Sequence, residues 1–459
     1  MVEDEIQATV RDVIEKQRRF FNQGETRSYD FRIAALTKLE ESLVRHRDDI
    51  LDALFTDLRK PNVEAFVAEY HFLLEELRLI RKSLKKWLKP QRVSSPFYLQ
   101  PCRSEIRREP FGVALVIAPW NYPIQLSFSP LVAAVAAGNT VILKPSEIST
   151  ASEELIAKII KEVFSAEHVA VITGDAVVSK VLLDEPFDYI FFTGSTAIGK
   201  IVAEKAAKNL TPCVLELGGK CPAVVEKSAD LEIAAQRILT GKFFNGGQTC
   251  FAPDFIAVHE PVYEELCAEL QKVMSGFIWH EEMAHVINAR NYERLSGLLD
   301  SKYTVIQQGE DHPAEQKMAP RILTDVNWTD EIMQKEVFGP ILPIVKYQKD
   351  GELIEHLQSY GSPLALYIFS NDKGFTEKVL SRVRSGGVCI NDTMKQGAHL
   401  KLPFGGVGES GYGRYRGKAG VEALSYERAV VKKPLWSPDW FDPRPPYGDK
   451  IKWMKRFMR

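Results

Sequence analysis

Between residues 113 and 225 the chain alternates short runs rich in valine and isoleucine with helical stretches. Strands that are apolar throughout, with helices between them, are typical of a parallel sheet covered by helices on both faces. The alternation therefore predicts an α/β fold. The predicted strands are Val113–Ala118, Thr140–Leu143, Val169–Thr173, Tyr189–Phe192 and Cys213–Leu215, and the helices include Pro130–Ala137, Ser152–Phe164 and Gly199–Lys208.

A second alternation of strands and helices lies between residues 255 and 392. Because 459 residues exceed what one simple core holds, we assign this part to a second α/β domain. Residues 1–90 are charged, periodic and nearly free of glycine and proline, which predicts a series of amphipathic helices. The strands predicted in the second alternation are Phe255–His259, Ile341–Val345, Leu366–Phe369 and Val388–Asn391.

Charge and cysteine content exclude several classes of protein. A net charge of −2 gives no reason to expect a nucleic acid partner. Six scattered cysteines and the acidic start Met1–Glu5 indicate a reducing compartment and no targeting leader, so we expect a cytoplasmic protein. Residues 110–143 carry no charge, but three prolines interrupt them, which argues against a membrane span.

Three of the predicted strands are each followed by a polar motif. Asn121 comes after the first strand, and Lys144 and Glu147 close the second. Gly194 and Ser195 follow the fourth. In open α/β sheets, ligands bind at the carboxyl ends of the strands. We therefore expect a ligand site at this edge of the first sheet.

Cys250 differs from the other five cysteines in its surroundings. It ends a Gly-Gly-Gln-Thr turn, where the missing Cβ atoms of glycine let the backbone approach a substrate closely. Glu216 precedes it in an apolar segment that contains a pair of glycines. A thiol and a carboxylate in apolar surroundings suit covalent chemistry on a carbonyl group. The alternative is that Cys250 is a buried small apolar residue, as most free cysteines are.

The segment around Gly194 is the candidate phosphate site. The chain has no Gly-x-Gly-x-x-Gly fingerprint after a strand. Instead, Thr193–Gly199 follows a strand and opens a helix, so backbone N–H groups and the helix dipole can face a pyrophosphate. Taken alone, the segment is better explained by Ser195 acting as an ordinary helix cap.

No metal site is expected. The candidate histidines, His280 and His285, stand one residue too far apart for the His-Glu-x-x-His zinc helix. On a helix this spacing places the two imidazoles roughly 140° apart. We therefore interpret both as solvated helix histidines.

Seven motifs together resemble the aldehyde dehydrogenase superfamily. Its members carry a Phe-x-Asn-x-Gly-Gln-x-Cys nucleophile segment and a Glu-Leu-Gly-Gly-Lys base segment, which match residues 243–250 and 216–220. All seven follow the family order, so the resemblance covers nearly the whole chain. The other five are Pro119–Asn121, Leu143–Glu147, Phe192–Thr196, Glu336–Pro340 and Pro403–Gly406.

The resemblance implies oxidation of an aldehyde to a carboxylic acid with NAD or NADP. Cys250 would be the nucleophile and Glu216 the base that activates water, while the amide of Asn121 would stabilise the oxyanion. Lys144, or a bound cofactor, would help to ionise the thiol. Cofactor contacts are expected at Trp120, Lys144, Glu147, Gly194, Ser195, Glu336 and Phe338, and the substrate pocket at Trp120, Tyr122 and Phe404.

In three respects the chain differs from the wider family and resembles its class 3 branch. No acidic residue follows Thr196, Gly408 stands where many members have lysine, and no long N-terminal extension is present. This likeness implies a homodimer that oxidises medium- or long-chain aliphatic or aromatic aldehydes. Glu147 should favour NAD by repelling a 2′-phosphate, yet members of this branch often use both cofactors, so the preference stays open.

The predicted organisation has three parts. Residues 1–91 and 109–216 form a Rossmann-type NAD(P)-binding domain, and residues 217–419 form the catalytic domain. Residues 92–108 and 420–459 form a small antiparallel oligomerisation extension and a C-terminal tail. On a helix, the basic side chains of residues 451–459 face away from the apolar ones, so the tail can lie on an anionic membrane or pack against the protein.

Two other functions remain open at this point. A thiol acyltransferase or hydrolase would use Cys250 without a dinucleotide, and Gly194, Lys144 and Glu336 argue against it. A binding protein that has lost activity would not need Cys250, Glu216 and Asn121 together.

Overall fold

A computed structural model describes residues 2–276, 278–279, 281–437 and 444–457. Its strands are β1 (Gln91–Val93), β2 (Arg103–Pro110), β3 (Val113–Ile117), β4 (Thr140–Lys144), β5 (Val169–Val171), β6 (Tyr189–Thr193), β7 (Cys213–Glu216), β8 (Pro222–Val225), β9 (Phe255–His259), β10 (Thr304–Gln307), β11 (Arg321–Thr324), β12 (Ile341–Tyr347), β13 (Ala365–Phe369), β14 (Gly387–Ile390), β15 (Gly411–Tyr412) and β16 (Ser425–Lys432).

Helices cover the sheets, and a π-helical turn at Phe66–His71 joins two of them. The helices are α1 (Val2–Gln23), α2 (Tyr29–Arg45), α3 (Arg47–Leu58), α4 (Asn62–Ala65), α5 (Phe72–Trp87), α6 (Pro123–Ala137), α7 (Thr150–Val163), α8 (Ala176–Asp184), α9 (Thr196–Lys208), α10 (Leu231–Phe243), α11 (Tyr263–Gly276), α12 (Ala289–Ser296), α13 (Glu331–Gln334), α14 (Asp350–Ser359), α15 (Lys373–Arg382), α16 (Lys395–Ala398), α17 (Gly417–Ala423) and α18 (Lys450–Phe457).

The first sheet has six strands in the order β15-β7-β6-β3-β4-β5. The five strands β3 to β7 are parallel, and β3, β4 and β6 are buried along their whole length. The short strand β15 adds antiparallel to β7 at the edge. It comes from within the segment that the sequence assigns to the second domain.

Helix α6 begins earlier than the sequence predicts. It starts at Pro123 rather than at Pro130, and Pro130 lies inside it. Proline suits the first turn of a helix, whose N–H groups have no partner within the helix. All fifteen residues of α6 are buried, so packing against the sheet offsets the hydrogen bond that Pro130 removes.

The second sheet has seven strands in the order β10-β11-β12-β9-β8-β13-β14. All its pairings are parallel except that of β10 with β11. The sequence predicts four of the seven strands, β9, β12, β13 and β14. It misses β8, which has only four residues and lies inside the sheet between β9 and β13, and it also misses β10 and β11.

A separate three-stranded antiparallel sheet, in the order β1-β2-β16, brings together residues far apart in the chain. Most of its residues are half-buried or exposed. This sheet coincides with the segments that the sequence assigns to an extension. Within the described part of the chain, no helix is both long and apolar enough to cross a membrane.

Candidate active site

Glu216 is the last residue of β7, at the carboxyl edge of the first sheet. Its carbonyl accepts a hydrogen bond from the N–H of Gly194 at 3.0 Å, and its backbone pairs with Gly411 of β15. Its side chain is 3% exposed. Neither carboxylate oxygen has a hydrogen-bond partner among the described residues. The fold therefore holds an ionisable side chain in nearly dry surroundings.

A tight turn after α10 brings Cys250 to the site. Asn245, Gly246 and Gly247 all have positive φ angles, of 56°, 61° and 73°. A Cβ atom on Gly246 would lie 2.6 Å from a neighbouring carbonyl oxygen, so the packing requires glycine there. The carboxylate of Glu64 accepts the N–H of Asn245 at 2.8 Å, and burial raises the pKa of Glu64 to about 7.

Asn121 is buried next to the same turn. Its side-chain nitrogen donates to the carbonyl of Gln248 at 2.9 Å. The side chain of Asn245 donates in turn to the carbonyl of Asn121, at 3.0 Å. The hydroxyl of Tyr122 lies 2.6 Å from that of Thr249. Because an amide nitrogen carries two hydrogens, the bond to Gln248 leaves Asn121 one N–H for another acceptor.

A buried ion pair that the sequence reading misses holds the loop with Asn121 in place. Lys60 donates to the carboxylate of Glu69 and, at 3.1 Å, to the carbonyl of Asn121. Glu69 also accepts the N–H of Ile124 at 3.0 Å and that of Gln125 at 3.3 Å. The sequence contains a signal for Glu69. It stands at helical spacing from the apolar residues of α5, so it lies on the apolar face of the helix, where a solvated acid is not expected.

Cys250 lines a cavity of about 490 Å³. Tyr122 and Phe404 line it too, as the sequence predicts. Trp120 does not line it, which corrects that part of the predicted tunnel. The ring of Trp120 packs edge-on against Phe338 instead, with centroids 5.5 Å apart. Other apolar lining residues are Val67, Ala68, Phe72, Leu126, Phe244, Phe251 and Met394.

Burial dominates the electrostatics of the two reactive side chains. It raises the pKa of the Glu216 carboxyl well above its ordinary value, while Arg416 and Arg414 oppose the rise. It also raises the pKa of the Cys250 thiol, with further increases from Glu336 and Glu216, whereas Arg416 lowers it. From the sequence, Lys144 is the cation expected to help ionise the thiol of Cys250. In the structure, Arg416 is the cation that lowers the pKa of this thiol.

Four of the predicted cofactor residues lie at the carboxyl ends of β4 and β6, on either side of β3 in the first sheet. Lys144, at the end of β4, is 2% exposed and donates to Glu147 at 2.6 Å. Gly194 ends the turn after β6, where a Cβ atom would lie 2.5 Å from the ring of Phe192. Ser195 caps α9, its hydroxyl accepting from the N–H of Ile198 at 3.4 Å. The cap and a phosphate site at the next N–H groups are compatible.

Glu336 lies on the other side of the site, in the second sheet's part of the chain. It is half-buried. Burial and the nearby Asp254 raise its pKa to about 8, whereas a hydrogen bond from the N–H of Gly219 lowers it. Lys220 donates to Asp254 at 2.6 Å, and Asp254 accepts the N–H of Val337 at 2.8 Å. This second buried ion pair fixes the segment that carries Glu336 and the adjacent Phe338.

These donors and acceptors fit a dinucleotide. A helix N-terminus suits phosphates, and the ammonium of Lys144 with the carboxylates of Glu147 and Glu336 suits ribose hydroxyls. The described residues contain no group of three or more histidine, cysteine or acidic side chains that could hold a metal ion. His280 lies outside the described residues. His285 is not in a helix, contrary to prediction, and its Nδ1 lies 2.8 Å from the carbonyl of Glu315.

Comparisons with known proteins agree with this geometry. The model of the aldehyde dehydrogenase family matches residues 2–430. The chain belongs to the aldehyde dehydrogenase family. It is 42% identical to 4,4'-diaponeurosporen-aldehyde dehydrogenase from Staphylococcus aureus, over 96% of this chain and 97% of the relative. It is 38% identical to the dimeric NADP-preferring aldehyde dehydrogenase of Canis lupus familiaris, over 93% and 95% of the two chains.

The solved structures extend the comparison to the fold. The substrate-bound state of Staphylococcus aureus AldH superposes with a TM-score of 0.95 and 40% identity, covering 98% of this chain and 99% of the other. The predicted fold and family are therefore confirmed. Membership of this family supports oxidation of aldehydes with NAD or NADP, and it argues against a thiol acyltransferase without a redox step and against an inactive binding protein.

Replacing Lys60 with methionine should destabilise the aldehyde dehydrogenase strongly. The change leaves the carboxylate of Glu69 buried without its cation, which typically costs about 3–5 kcal/mol. The double variant Lys60→Met/Glu69→Gln should recover part of the loss, because the remaining side chain carries no charge. Melting temperature reports the effect, with Lys16→Met on the surface of α1 as the matched control. Equal melting temperatures for Lys60→Met and Lys16→Met would show that the pair does not stabilise the loop.

Proposed function

We propose that Cys250 is the nucleophile, Glu216 the base for water, and Asn121 the side-chain donor to the oxyanion. The observation that carries this proposal is the pairing of Cys250 on an apolar cavity with a buried, unbonded carboxylate near enough to raise the pKa of the thiol. A free carboxylate in dry surroundings is a stronger proton acceptor than one in water. A structural acid would have a hydrogen-bonded partner instead.

The first step forms a bond between the sulfur of Cys250 and the aldehyde carbon. Cys250 first releases its proton to solvent and attacks as the thiolate, and the carbonyl oxygen gains negative charge. The free N–H of Asn121 and the backbone N–H of Cys250 donate to that oxygen. A bound NAD or NADP supplies the acceptor for the hydride that leaves the same carbon, so that a thioester remains on Cys250.

Glu216 acts in the second half of the reaction. Its carboxylate takes a proton from water as the water oxygen attacks the thioester carbon. The carbon–sulfur bond then breaks, Cys250 leaves as thiolate, and the product is the carboxylic acid. The cavity wall keeps bulk water away from the thioester until Glu216 delivers one molecule.

We propose the following roles for the remaining residues and parts of the chain. Residues 1–91 and 109–216 bind the dinucleotide, and residues 217–419 carry the nucleophile. Lys144 and Glu147 hold one ribose, Gly194 and Ser195 lie at the pyrophosphate, and Glu336 holds the nicotinamide ribose with Phe338 and Trp120 beside the ring. The ion pair of Lys144 with Glu147 and the first turn of α9 support this assignment.

We propose a cytoplasmic homodimer in which residues 92–108 and 420–459 contribute to subunit contacts. The relative from Canis lupus familiaris is named as dimeric. Large apolar side chains are exposed on and beside the antiparallel sheet, where a second subunit can cover them. They are Phe97, Tyr98, Tyr426, Val431, Leu435 and Trp436.

Glu216→Gln should separate the two halves of the reaction. Hydride transfer does not need the base for water, so a burst of one reduced cofactor per Cys250 should precede very slow turnover. Rapid-mixing absorbance of the reduced cofactor measures both phases. Cys250→Ala is the matched control and should give neither burst nor turnover. If the burst and the steady rate of Glu216→Gln fell by the same factor, Glu216 would be a positioning residue and not the base.

Medium- and long-chain aldehydes should bind more tightly than short ones. Each methylene that leaves water for the apolar cavity is worth about 0.8 kcal/mol, or about a fourfold fall in KM. Kinetics from propanal to decanal measure this slope. Val67→Asp, at the exposed side of the cavity, should raise KM for decanal but not for propanal. A KM that does not depend on chain length would contradict the substrate class.

The C-terminal tail should bind anionic lipid. Helix α18 carries the basic side chains of Lys452, Lys455 and Arg456 on its exposed surface, next to exposed Ile451. Met458 and Arg459 lie outside the described residues. Co-sedimentation with vesicles of anionic phospholipid should retain the full chain but not a chain ending at Gly448. The triple variant Lys452→Glu/Lys455→Glu/Arg456→Glu is the charge control. Equal pelleting of all three would leave the tail only a role in packing against the protein.

A further inference from the structure

Arg416 is a buried cation that the mechanism above does not use. It lies between β15 and α17, is 5% exposed, and has a φ angle of 89°, which is rare for any residue but glycine. It lines the cavity together with Cys250. Backbone strain at a buried charge persists only where the surroundings enforce it, and such positions are frequent at functional sites.

Aromatic rings enclose the guanidinium of Arg416. Its central carbon lies 4.5 Å from the ring centroid of Tyr415, 4.6 Å from that of Phe72 and 5.4 Å from that of Phe404. Rings stabilise a cation without neutralising its charge. The Nε atom has no hydrogen-bond partner among the described residues. Much of the charge of Arg416 is therefore directed at the cavity and its walls.

The chain segment that ends at Arg416 lies against Glu216. Phe404 and Tyr415 exchange two backbone hydrogen bonds, of 2.8 and 2.9 Å, in an antiparallel bridge that places Arg414 beside Gly405, with Arg416 directly after Tyr415. A Cβ atom on Gly405 would lie 2.9 Å from Oε1 of Glu216. The same segment continues β15, whose Gly411 pairs with Glu216. One side of the carboxylate is thus formed by the segment that ends at Arg416.

We propose that Arg416 is a positioning residue that acts through its fixed charge: it keeps Glu216 ionised inside the apolar site and favours the thiolate of Cys250. This inference rests on the proposed role of Glu216 as the base. A carboxylate that burial protonates cannot take a proton from water. A cation held nearby by rings, without a direct bond to Glu216, restores the charged form and leaves both carboxylate oxygens free.

The directions of the pKa shifts agree with this role. Arg416 is the largest influence that lowers the pKa of Glu216, and it also lowers that of Cys250. Arg414 acts on Glu216 as well, but its guanidinium donates to the carbonyls of Gly406 and Gly413. Other ionisable groups at Cys250 are Glu336 and Glu216, and both raise its pKa.

Glu76 of α5 limits the effect of Arg416. Its carboxylate lies 3.7 Å from the guanidinium, and the pair is buried. It is held by the N–H of Gly417 at 2.8 Å and by the hydroxyl of Ser129 at 2.5 Å. An uncharged glutamine at position 76 can keep bonds of this kind while removing the opposing charge. Replacing Arg416 therefore removes the effect of its charge on Glu216 and Cys250, whereas Glu76→Gln should strengthen that effect.

The test measures the pH dependence of thioester hydrolysis in Arg416→Met, Arg416→Lys and Glu76→Gln. Arg416→Met should move the acid limb of kcat to higher pH by about one unit or more. At pH values on the acid side of the limb, kcat should therefore fall by about tenfold or more. Arg416→Lys should stay near the parent enzyme, and Glu76→Gln should move the limb to lower pH. Alkylation of Cys250 by iodoacetamide without cofactor should shift in the same directions.

A purely structural role for Arg416 gives a different pattern. Rates would then fall by the same factor at every pH, or Arg416→Met and Glu76→Gln would shift the limb in the same direction, and either result overturns the proposal. If Arg416→Met does not fold, the test rests on Glu76→Gln alone. A shift of its acid limb to lower pH would then support the proposed role of Arg416, and an unshifted limb would refute that role. If the acid limb persists in Glu216→Gln, the proposed base is wrong, which is a separate failure from that of Arg416.

Discussion

The site depends on the cost of burying a carboxylate without a hydrogen bond. Glu216 ends a buried strand, and the sheet excludes water from it on most sides. Burial of this kind raises the pKa of an acid, which makes Glu216 a strong base only if some other charge keeps it ionised. The same surroundings raise the pKa of Cys250. Both reactive side chains therefore rely on charges that the fold supplies from a distance.

Three buried ion pairs each hold a piece of backbone at the site. The first pair fixes the loop with Asn121, the second fixes the segment with Glu336, and the third fixes the start of α17. Breaking such a pair is costly, because one charge then remains buried alone. In the third pair, Arg416 also lowers the pKa of both Glu216 and Cys250. The pairs are Lys60–Glu69, Lys220–Asp254 and Arg416–Glu76.

Much of the fold follows from the sequence, because buried parallel strands read as continuous apolar runs. The predicted bounds of β3, β4, β6 and β9 agree with the observed ones within a residue. The interior strand β8 was missed because four residues beginning with proline give little periodicity. The prediction that His285 lies in a helix was wrong for a related reason. The spacing of residues along the chain does not reveal the tertiary contacts that decide whether a segment is helical.

The candidate site also contains residues that the sequence predicts and residues that it does not. Cys250, Glu216 and Asn121 carry motif signals, and the structure brings them to one region. Lys60 and Arg416 do not, because each lies in a charged segment that resembles a solvated surface until the packing is known, and for Glu69 only its place on an apolar helical stripe indicates burial. Trp120 shows the reverse, since it was expected to line the substrate pocket but its ring packs against Phe338. Motifs indicate the candidate reacting groups, whereas the charged groups that we propose to tune them become apparent only in the tertiary structure.

The central claim is that the oxidised substrate is held as a thioester on Cys250. The direct measurement is peptide mass spectrometry of Glu216→Gln enzyme, quenched in acid during reaction with decanal and the oxidised dinucleotide. The peptide containing Cys250 should gain the mass of a decanoyl group, and it should lose that mass when treated with hydroxylamine. An unmodified Cys250 peptide while reduced cofactor accumulates, or an acyl group on any of the other five cysteines, would contradict the account.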